Sequence, residues 1–355
     1  MNQKLIKGLS VFLVLFLVSC GAKNDQEKSE TNQQVELLGA GATFPYPLYS
    51  KMFDVYQKEY QVRVNYQSIG SGGGVRQIQN KTVDFGASDA FLSDQKLAKL
   101  PAEVSHIPIC LGAVILTYVL PNNPKIKLTP SLVAEIFLGK IKYWDDPKIK
   151  QVNKAESLPH LPITIVYRSD GSGTTAIFTD YLSKVSQKWK KRVGNGKSVN
   201  WPIGIGAKGN AGVSGMIKQT PGAMGYVNLA YANQNKLSVA AIQNRSGHFI
   251  MPTIESTTDA ANVSIPNDTR VSITNTNVKT GYPISGFTWI LVYNEQNYNN
   301  RAKEKAVETK KLLNWMITKG QLFAKPLDYS PLPENVVKKA KNIINNLKFN
   351  NQKIN

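Results

Sequence analysis

Two lobes are the expected organisation of this chain, because the part of it that can fold is too large for one hydrophobic core. About 320 of the 355 residues follow Gln34, whereas single cores stop growing at about 250–300 residues. The preceding stretch, Gly21 to Gln34, has no large apolar side chain, so we expect a flexible tether over residues 20–34. No apolar run of 18 or more residues occurs after it, which predicts a soluble body.

A short apolar run near the N-terminus predicts export. Lys4 and Lys7 precede the run Leu9 to Val18, which is too short to span a bilayer. A basic flank, a short apolar core and small residues are typical of a signal peptide, here over residues 1–19. Leu17-Val18-Ser19-Cys20 resembles the lipobox of bacterial lipoproteins. We therefore expect Cys20 to be the lipidated mature N-terminus, held by acyl chains at ~0.8 kcal/mol per buried methylene; the alternative is an ordinary cleaved signal with a coincidental cysteine.

The charge balance is strongly basic. Lys and Arg number 43 against 24 Asp and Glu, which gives a formal net charge of +19. Such a field raises the association rate of small anions and attracts anionic surfaces. The densest run, Lys184 to Lys197, follows an amphipathic stretch and is interpreted as a solvated helix face. Nucleic-acid binding is not expected, because an export signal precedes the body and no recognition motif accompanies the charge.

Three turns rich in Gly, Ser or Thr lie beside helical patterns. They are Gly39 to Phe44, Gly70 to Gly74 and Arg168 to Thr175. The second and third follow a strand-like stretch and precede a helical one, so backbone N–H groups converge where the helix dipole adds about half a positive charge. These turns are candidate anion cradles.

Side chains in the turns add further donors to the cradles. The hydroxyl donors are Thr43, Ser71, Ser172 and Thr174. Arg168 adds the only fixed full charge, on a planar fork suited to oxyanions. The set favours a small oxyanion as the ligand.

Two carboxylates, Asp84 and Asp89, lie in the segment Val83 to Ala90. A carboxylate helps in an anion site only if the anion carries a proton that it can accept. Hydrogenphosphate carries one, whereas sulfate near neutral pH does not and would be repelled. We interpret Asp89 as this acceptor and Asp84 as a turn or capping residue; a capping role is the alternative for Asp89 as well.

The sequence offers little for catalysis or metal binding. Two-metal phosphatases need clustered histidines and carboxylates, yet His106, His160 and His248 are widely separated. Ser172 has no histidine near it in sequence. Once Cys20 is lipidated, Cys110 is the remaining cysteine, and its apolar surroundings indicate a core residue. We therefore expect no catalytic residue, no metal and no cofactor other than the lipid.

Several stretches, in order along the chain, resemble the PstS family of phosphate-binding proteins of the bacterial phosphate-specific ABC importer. They are Gly39 to Tyr49, Asn65 to Gln67, Ile69 to Gln77, Thr82 to Asp89, Leu138 to Lys142, Trp144 to Asp146, Asp170 to Thr174, Trp201 to Gly204 and Pro221 to Tyr226. The resemblance implies a ligand set for phosphate: Thr43, Phe44, Ser71, Asp89, Arg168, Ser172, Gly173 and Thr174. It implies supporting roles for Asp170, which would pair with Arg168, and for Gly72.

The resemblance also implies an architecture. This is an α/β, two-lobed periplasmic-binding-protein fold of type II character, with the ligand cleft between lobes joined by a two-crossing hinge. Lobe 1 would hold residues 35–110 and 284–355, and lobe 2 residues 111–283. The apolar, strand-like stretches Ile107 to Leu116 and Pro283 to Tyr293 agree with two such crossings.

The function implied by the resemblance is high-affinity phosphate binding and delivery to an importer made of a permease and an ATPase complex. The protein would act as a monomer, lipid-anchored at the periplasmic face of a bacterial membrane or at the cell surface. Two alternatives stay open at this point. One is a binding protein for another oxyanion, such as sulfate, molybdate or a phosphonate; the other is a surface phosphate sensor or adhesin that uses the same fold.

Overall fold

The computed structural model describes residues 35–355. The expected signal peptide over residues 1–19, the lipidated Cys20 and the tether that ends at residue 34 lie outside the described residues. Among residues 35–355, no helix is both long enough and apolar enough to cross a membrane.

Strands and helices alternate along most of the described chain, which confirms the expected α/β class. The strands are β1 Glu36–Gly41, β2 Arg63–Ser68, β3 Phe85–Ser88, β4 Val104–Tyr118, β5 Lys127–Leu128, β6 Thr164–Arg168, β7 Ile205–Ala207, β8 Ala223–Asn228, β9 Ser238–Val239, β10 Ala241–Gln243, β11 Phe249–Ile250, β12 Ser285–Tyr293, β13 Lys348–Phe349 and β14 Gln352–Lys353. The α-helices are α1 Tyr46–Tyr60, α2 Ser71–Gln79, α3 Asp94–Leu97, α4 Pro130–Phe137, α5 Pro147–Val152, α6 Gly173–Val185, α7 Gln187–Arg192, α8 Gly209–Gln219, α9 Leu229–Asn235, α10 Ile254–Ala260, α11 Lys303–Met316 and α12 Glu334–Asn345. Short 3-10 turns at Lys319–Phe323 and Lys325–Leu327 follow α11.

The main sheet is built around one long strand. Its order is β2-β1-β3-β12-β4-β8-β6-β7, and β9 also pairs with β4. The first half of β4, Val104 to Ala113, pairs antiparallel with β12, and the second half, Val114 to Tyr118, pairs antiparallel with β8. Parallel pairs lie on both sides, β2-β1-β3 on one and β8-β6-β7 on the other. β4 therefore connects two parallel arrangements into one mixed sheet.

The two strands β4 and β12 contain no Asp, Glu, Lys or Arg, in keeping with their burial. Every residue of β12 is buried, and so is every residue of β4 except Ser105. Cys110 lies within β4 as a buried free thiol, as expected of a core residue. The apolar stretches expected to be strands are thus confirmed as β4 and β12. The described residues form one compact unit, and the lobe borders at residues 110–111 and 283–284 stay a prediction.

Helices pack one apolar face against the sheet. In α1 the buried side chains include Leu48, Met52 and Tyr56, spaced four residues apart. The helix ends where Gln61 takes a left-handed conformation with φ 57°. In α12, Val336, Ala340 and Ile344 are buried at the same spacing. Helix α1 packs against the edge strand β2, and α12 packs against the central strand β4.

Candidate functional site

The Gly-rich turns meet at the carboxyl ends of parallel strands from both parts of the sheet. The second turn follows β2 and leads into α2, and the third follows β6 and leads into α6. The backbone N–H of Gly72 donates to the carbonyl of Gly171 at 2.8 Å. A Cβ on Gly70, whose φ is +85°, would lie 2.4 Å from Asp170 Oδ2. The close approach of these two turns requires glycine, and it brings together residues about 100 positions apart in the sequence.

Gly173 shows how closely β3 approaches the third turn. A Cβ on Gly173 would lie 2.5 Å from both Asp89 Oδ2 and Ser71 Oγ. Thus the first residue of α6, the carboxylate after β3 and the hydroxyl at the start of α2 surround one small space. The structure brings these three predicted site residues together.

Arg168 is buried and already paired. Its Nε and Nη2 donate to the two carboxylate oxygens of Asp170 at 2.7 and 2.6 Å, and its Nη1 donates to Thr174 Oγ1 at 3.2 Å. Burial favours the neutral form of Asp170, but the hydrogen bonds and charge of Arg168 and the N–H of Gly209 hold its pKa below the usual value. Asp170 is therefore an ionised partner. Of the five guanidinium N–H groups, two remain for another acceptor.

Asp89 is 2% exposed and has neutral hydrogen-bond donors. Thr288 Oγ1 donates to Oδ1 at 2.9 Å and Ser71 Oγ to Oδ2 at 3.3 Å. Burial raises the pKa of Asp89 to about 7, and the bond from Thr288 and the charge of Arg168 offset only part of that effect. Because ionisation of Asp89 is costly, a ligand that carries a proton and can share it with the carboxylate in a hydrogen bond is favoured.

Thr43 is held by a residue that the sequence reasoning missed. The backbone N–H of Asn210 and its Nδ2 both donate to Thr43 Oγ1, at 3.2 and 2.9 Å, and Nδ2 also donates to Thr174 Oγ1 at 3.2 Å. Asn210 is fully buried, and its Oδ1 accepts from the N–H of Asn228 at 3.0 Å. One amide thus joins the first and third turns.

A signal for Asn210 does exist in the sequence. Gly209 and Asn210 begin α8 directly after β7. This is the same order of strand, glycine turn and helix that identified the second and third cradles. Thr288 had no comparable signal, because it lies in the middle of the buried strand β12.

The remaining predicted site residues lie at the start of α6 and next to Thr43 in the sequence, and they differ in which atoms are available to a ligand. Ser172 caps α6, since its Oγ accepts from the N–H of Thr175 at 3.0 Å. The first N–H groups of α6, which include those of Gly173 and Thr174, have no partner within the helix. The ring of Phe44 is buried in the core, and its carbonyl accepts from the hydroxyl of Tyr329 at 2.6 Å. Phe44 can therefore reach a ligand only through its backbone.

Asp84 lies in a different environment from Asp89. Its Oδ2 accepts from the N–H of Leu38 at 2.7 Å. Arg301 Nε lies 2.9 Å from Asp84 Oδ1 as an ion pair without hydrogen-bond alignment. This pair ties β1 to the segment before α11, which is a structural role in keeping with the interpretation of Asp84 as a turn residue.

Cavities border the cluster on two sides. One, of about 670 Å³, is lined among others by Thr43, Asp170 and Asn210. The other, of about 260 Å³, is lined among others by Asp89 and Lys197. In residues 35–355, no three His, Cys, Asp or Glu side chains are arranged to hold a metal ion. The cluster itself offers hydroxyl, amide and guanidinium donors around the carboxylate of Asp89, the other carboxylate, Asp170, being paired with Arg168. This set is suited to an oxyanion with a proton.

Comparisons with known proteins point to one family. Residues 26–319 match the family model described as the PBP superfamily domain. The chain is 42% identical over 317 residues to "Phosphate-binding protein PstS" of Pasteurella multocida, covering 87% of this chain and 90% of the relative. It is 37% identical to the protein of the same name from Methanocaldococcus jannaschii, covering 97% and 95%.

Among solved structures, a high-affinity periplasmic phosphate-binding protein bound with phosphate, PfluDING, superposes with a TM-score of 0.69. The match covers 87% of this chain and 93% of that one at 20% identity. At that identity the likeness shows the fold alone, and it agrees with the expected periplasmic-binding-protein architecture.

Proposed function

We propose that this chain, which belongs to the PstS family of phosphate-binding proteins in the PBP superfamily, captures inorganic phosphate and delivers it to a phosphate-specific ABC importer. The observation that carries the ligand assignment is Asp89. A buried carboxylate beside Arg168 and the start of α6 would repel a fully ionised oxyanion, but it accepts a hydrogen bond from one that keeps a proton. Phosphate near neutral pH keeps such a proton.

The donors around Asp89 complete the site. Arg168 offers its two free N–H groups, and α6 offers its first backbone N–H groups together with the positive end of its dipole. The proposed ligand set is Thr43, Phe44, Ser71, Asp89, Arg168, Ser172, Gly173 and Thr174, supported by Asp170 and Gly72. Because Asp170 holds Arg168 in place through two hydrogen bonds, the guanidinium fork is oriented before the ligand arrives.

A comparison of phosphate with sulfate tests this assignment. Calorimetric titration of the wild type should show one phosphate per chain and much weaker binding of sulfate. In Asp89→Asn the side-chain amide can donate to an unprotonated oxygen, so the gap between the two affinities should narrow by about tenfold or more. Asp54→Asn, on an exposed turn of α1, is the matched control. Equal affinity of the wild type for sulfate and phosphate would refute the assignment.

The transport role requires an importer and a place at the membrane. The proposed partners are the permease and the ATPase of a phosphate-specific ABC importer, and the protein acts on them as a monomeric carrier without catalysing a reaction. Deleting the gene should lower phosphate uptake under phosphate starvation, and wild-type protein should restore it. Unchanged uptake would contradict the transport role while leaving phosphate binding intact.

Anchoring through Cys20 is a separate part of the proposal. It is supported by the lipobox-like Leu17 to Cys20 segment. The mass of protein extracted from cells should include the acyl groups, and Cys20→Ala should move the protein from the membrane to the soluble fraction. A wild-type mass without lipid would refute the anchor.

A further inference from the structure

The charges of the proposed site do not balance without another cation. The guanidinium of Arg168 is matched by Asp170 through two hydrogen bonds, and Asp89 adds a second carboxylate, which is charged above its raised pKa of about 7. With Asp89 ionised, one positive and two negative charges leave the buried cluster at −1 before a ligand arrives. Phosphate adds one or two more negative charges. Unbalanced charge is costly in a buried site, and hydroxyl and amide donors can offset only part of that cost.

Lys197 is the cation in position to balance it. The sequence pattern grouped it with the solvated run Lys184 to Lys197, but α7 ends at Arg192, and Lys197 lies in the loop beyond it. That part of the prediction was wrong for Lys197, because the left-handed conformation of Gly194 (φ +75°) turns the chain after the helix. Lys188, Lys190, Lys191 and Arg192 are exposed as expected, whereas Lys197 is half-buried.

The loop that carries Lys197 is fixed to the ligand-binding end of α6. The carbonyl of Lys197 accepts from the N–H of Ser172 at 2.8 Å. The neighbouring N–H of Gly196 donates to Thr179 Oγ1 at 3.1 Å. Lys197 also lines the cavity of about 260 Å³ that Asp89 lines. Its position is therefore set by the residues that set the cradle.

The titratable groups that line this cavity or interact with Lys197 lie on or beside four other elements, β3, α3, α6 and β4. Asp89 follows β3, and Asp180 of α6 pairs with Lys184 at 2.9 Å. Lys96 of α3 lines the same cavity and is exposed. His106 of β4, whose charge state Lys197 also influences, accepts at Nε2 from the N–H of Leu92 and is neutral. No carboxylate of residues 35–355 lies within 4.0 Å of the Lys197 ammonium.

Electrostatics agree with this placement. Burial and the charge of Lys96 lower the pKa of Lys197 to about 8, and Asp89 acts in the opposite direction. Lys197 in turn is among the groups that lower the pKa of Asp89. The ammonium and the carboxylate thus influence each other's charge state, although they do not form a contact ion pair.

We propose that Lys197 is the second cation of the phosphate site and balances the charge that Asp89 and the bound anion bring together. This inference rests on the proposed function. The positive charge of Lys197 partly offsets the negative charge of Asp89 and of the phosphate bound in the site. The benefit is larger for the dianion than for the monoanion, because the attraction scales with the ligand charge. A bound dianion also stabilises the protonated ammonium, so Lys197 takes up a proton on binding where it is partly neutral.

Two variants and one control test the role by calorimetry. Lys197→Gln removes the charge and should weaken phosphate binding about tenfold at about pH 6, and by more at about pH 8.5, where the ligand is mostly dianionic. Lys197→Arg keeps the charge and should retain most of the affinity. Lys191→Gln, an exposed position on α7, should match the wild type within about twofold.

Proton uptake separates charge balance from a packing role. Titrations at about pH 8.5 in buffers of different ionisation enthalpy should show wild-type protein taking up a fraction of a proton on binding. Both Lys197→Gln and Lys197→Arg should lose the part of that uptake that comes from Lys197, because glutamine carries no proton and the guanidinium does not titrate there. The uptake that remains in both variants belongs to Asp89, whose pKa of about 7 is raised further by a bound anion. Recovery of affinity in the arginine variant without recovery of proton uptake is the expected signature.

Several outcomes would overturn the inference. One is a Lys197→Gln protein that binds phosphate within about twofold of the wild type at both pH values. Another is a Lys197→Arg protein that binds as weakly as Lys197→Gln while its melting temperature stays at the wild-type value. Failure of the wild type to bind phosphate would instead refute the proposed function, so the two failures are distinguishable.

Discussion

Replacing Gly173 with alanine should reduce phosphate affinity severely without unfolding the protein. The added methyl group would lie 2.5 Å from Asp89 Oδ2 and Ser71 Oγ and 2.6 Å from Asp89 Cβ. Ordinary carbon contacts are 3.5–4.0 Å. The start of α6 and the Asp89 loop would therefore have to separate by about 1 Å, at the point where the proposed ligand is enclosed.

The size of the effect follows from this overlap. Overpacking a well-packed site costs about 1–3 kcal/mol. If that cost falls on the closed, ligand-binding arrangement, affinity should drop by about ten- to a hundredfold. Stability should change less than affinity, because the predicted two-lobed cleft would relieve the overlap by opening.

The measurement is a phosphate titration paired with a thermal melt. Gly215→Ala in α8 is the matched control, since a Cβ there meets nothing within 4 Å and should leave affinity unchanged. A Gly173→Ala protein with wild-type affinity would refute the packing argument and show that the ligand does not need the close approach of α6 to Asp89.

Three further outcomes follow from contacts in and near the site. Asn210→Ala removes the amide that donates to both Thr43 and Thr174, and it leaves the N–H of Asn228 without its acceptor. A thermal melt should therefore show a loss of about 2–4 kcal/mol in the free energy of unfolding, with little change in the exposed control Asn233→Ala. Equal melting temperatures of Asn210→Ala and the wild type would contradict this. His106 is buried with its pKa lowered to about 3, so its folded form resists protonation and stability should fall with pH below about 6.5, by about 2 kcal/mol between pH 7 and 5 in chemical unfolding. His106→Gln should lack that share of the slope, and an unchanged slope would count against the assignment. Because burial raises the pKa of Asp89 to about 7, rejection of sulfate should weaken in wild-type protein as pH falls below that value, whereas Asp89→Asn should show no such trend; a pH-independent wild type would argue against Asp89 as the selective group.

The parts of the site that could be predicted from the sequence are those whose residues lie close together in it. Arg168 and Asp170 are two residues apart, and the cradle of α6 follows directly, so the turn chemistry was readable before the structure was known. Asn210 lies 167 residues from Thr43, and only tertiary packing places its amide between Thr43 and Thr174. Lys197 was wrongly assigned to a solvated helix face, because the basic run in the sequence continues after α7 has ended at Arg192.

The fold shows the same division between local and long-range information. The apolar character of β4 was evident, and so was its strand structure. Its change of partner from β12 to β8 near Ala113 could not be predicted, since the residues on both sides of Ala113 are apolar and buried from Ile107 to Leu116. A uniformly buried strand has no face by which its neighbours can be told apart.

Burial of Asp89 would allow a single carboxylate to select among oxyanions of nearly equal size, as we propose. On an exposed surface the repulsion between a carboxylate and sulfate would be screened to a small effect by water and salt. In this site the carboxylate is 2% exposed, and its ionisation is already opposed by desolvation. A ligand without a proton would then add a second unscreened negative charge, whereas hydrogenphosphate replaces the repulsion with a hydrogen bond. The contact of Gly173 with Asp89 and the neutral donors Ser71 and Thr288 fit this arrangement, because they enclose the carboxylate without neutralising it through a direct ion pair.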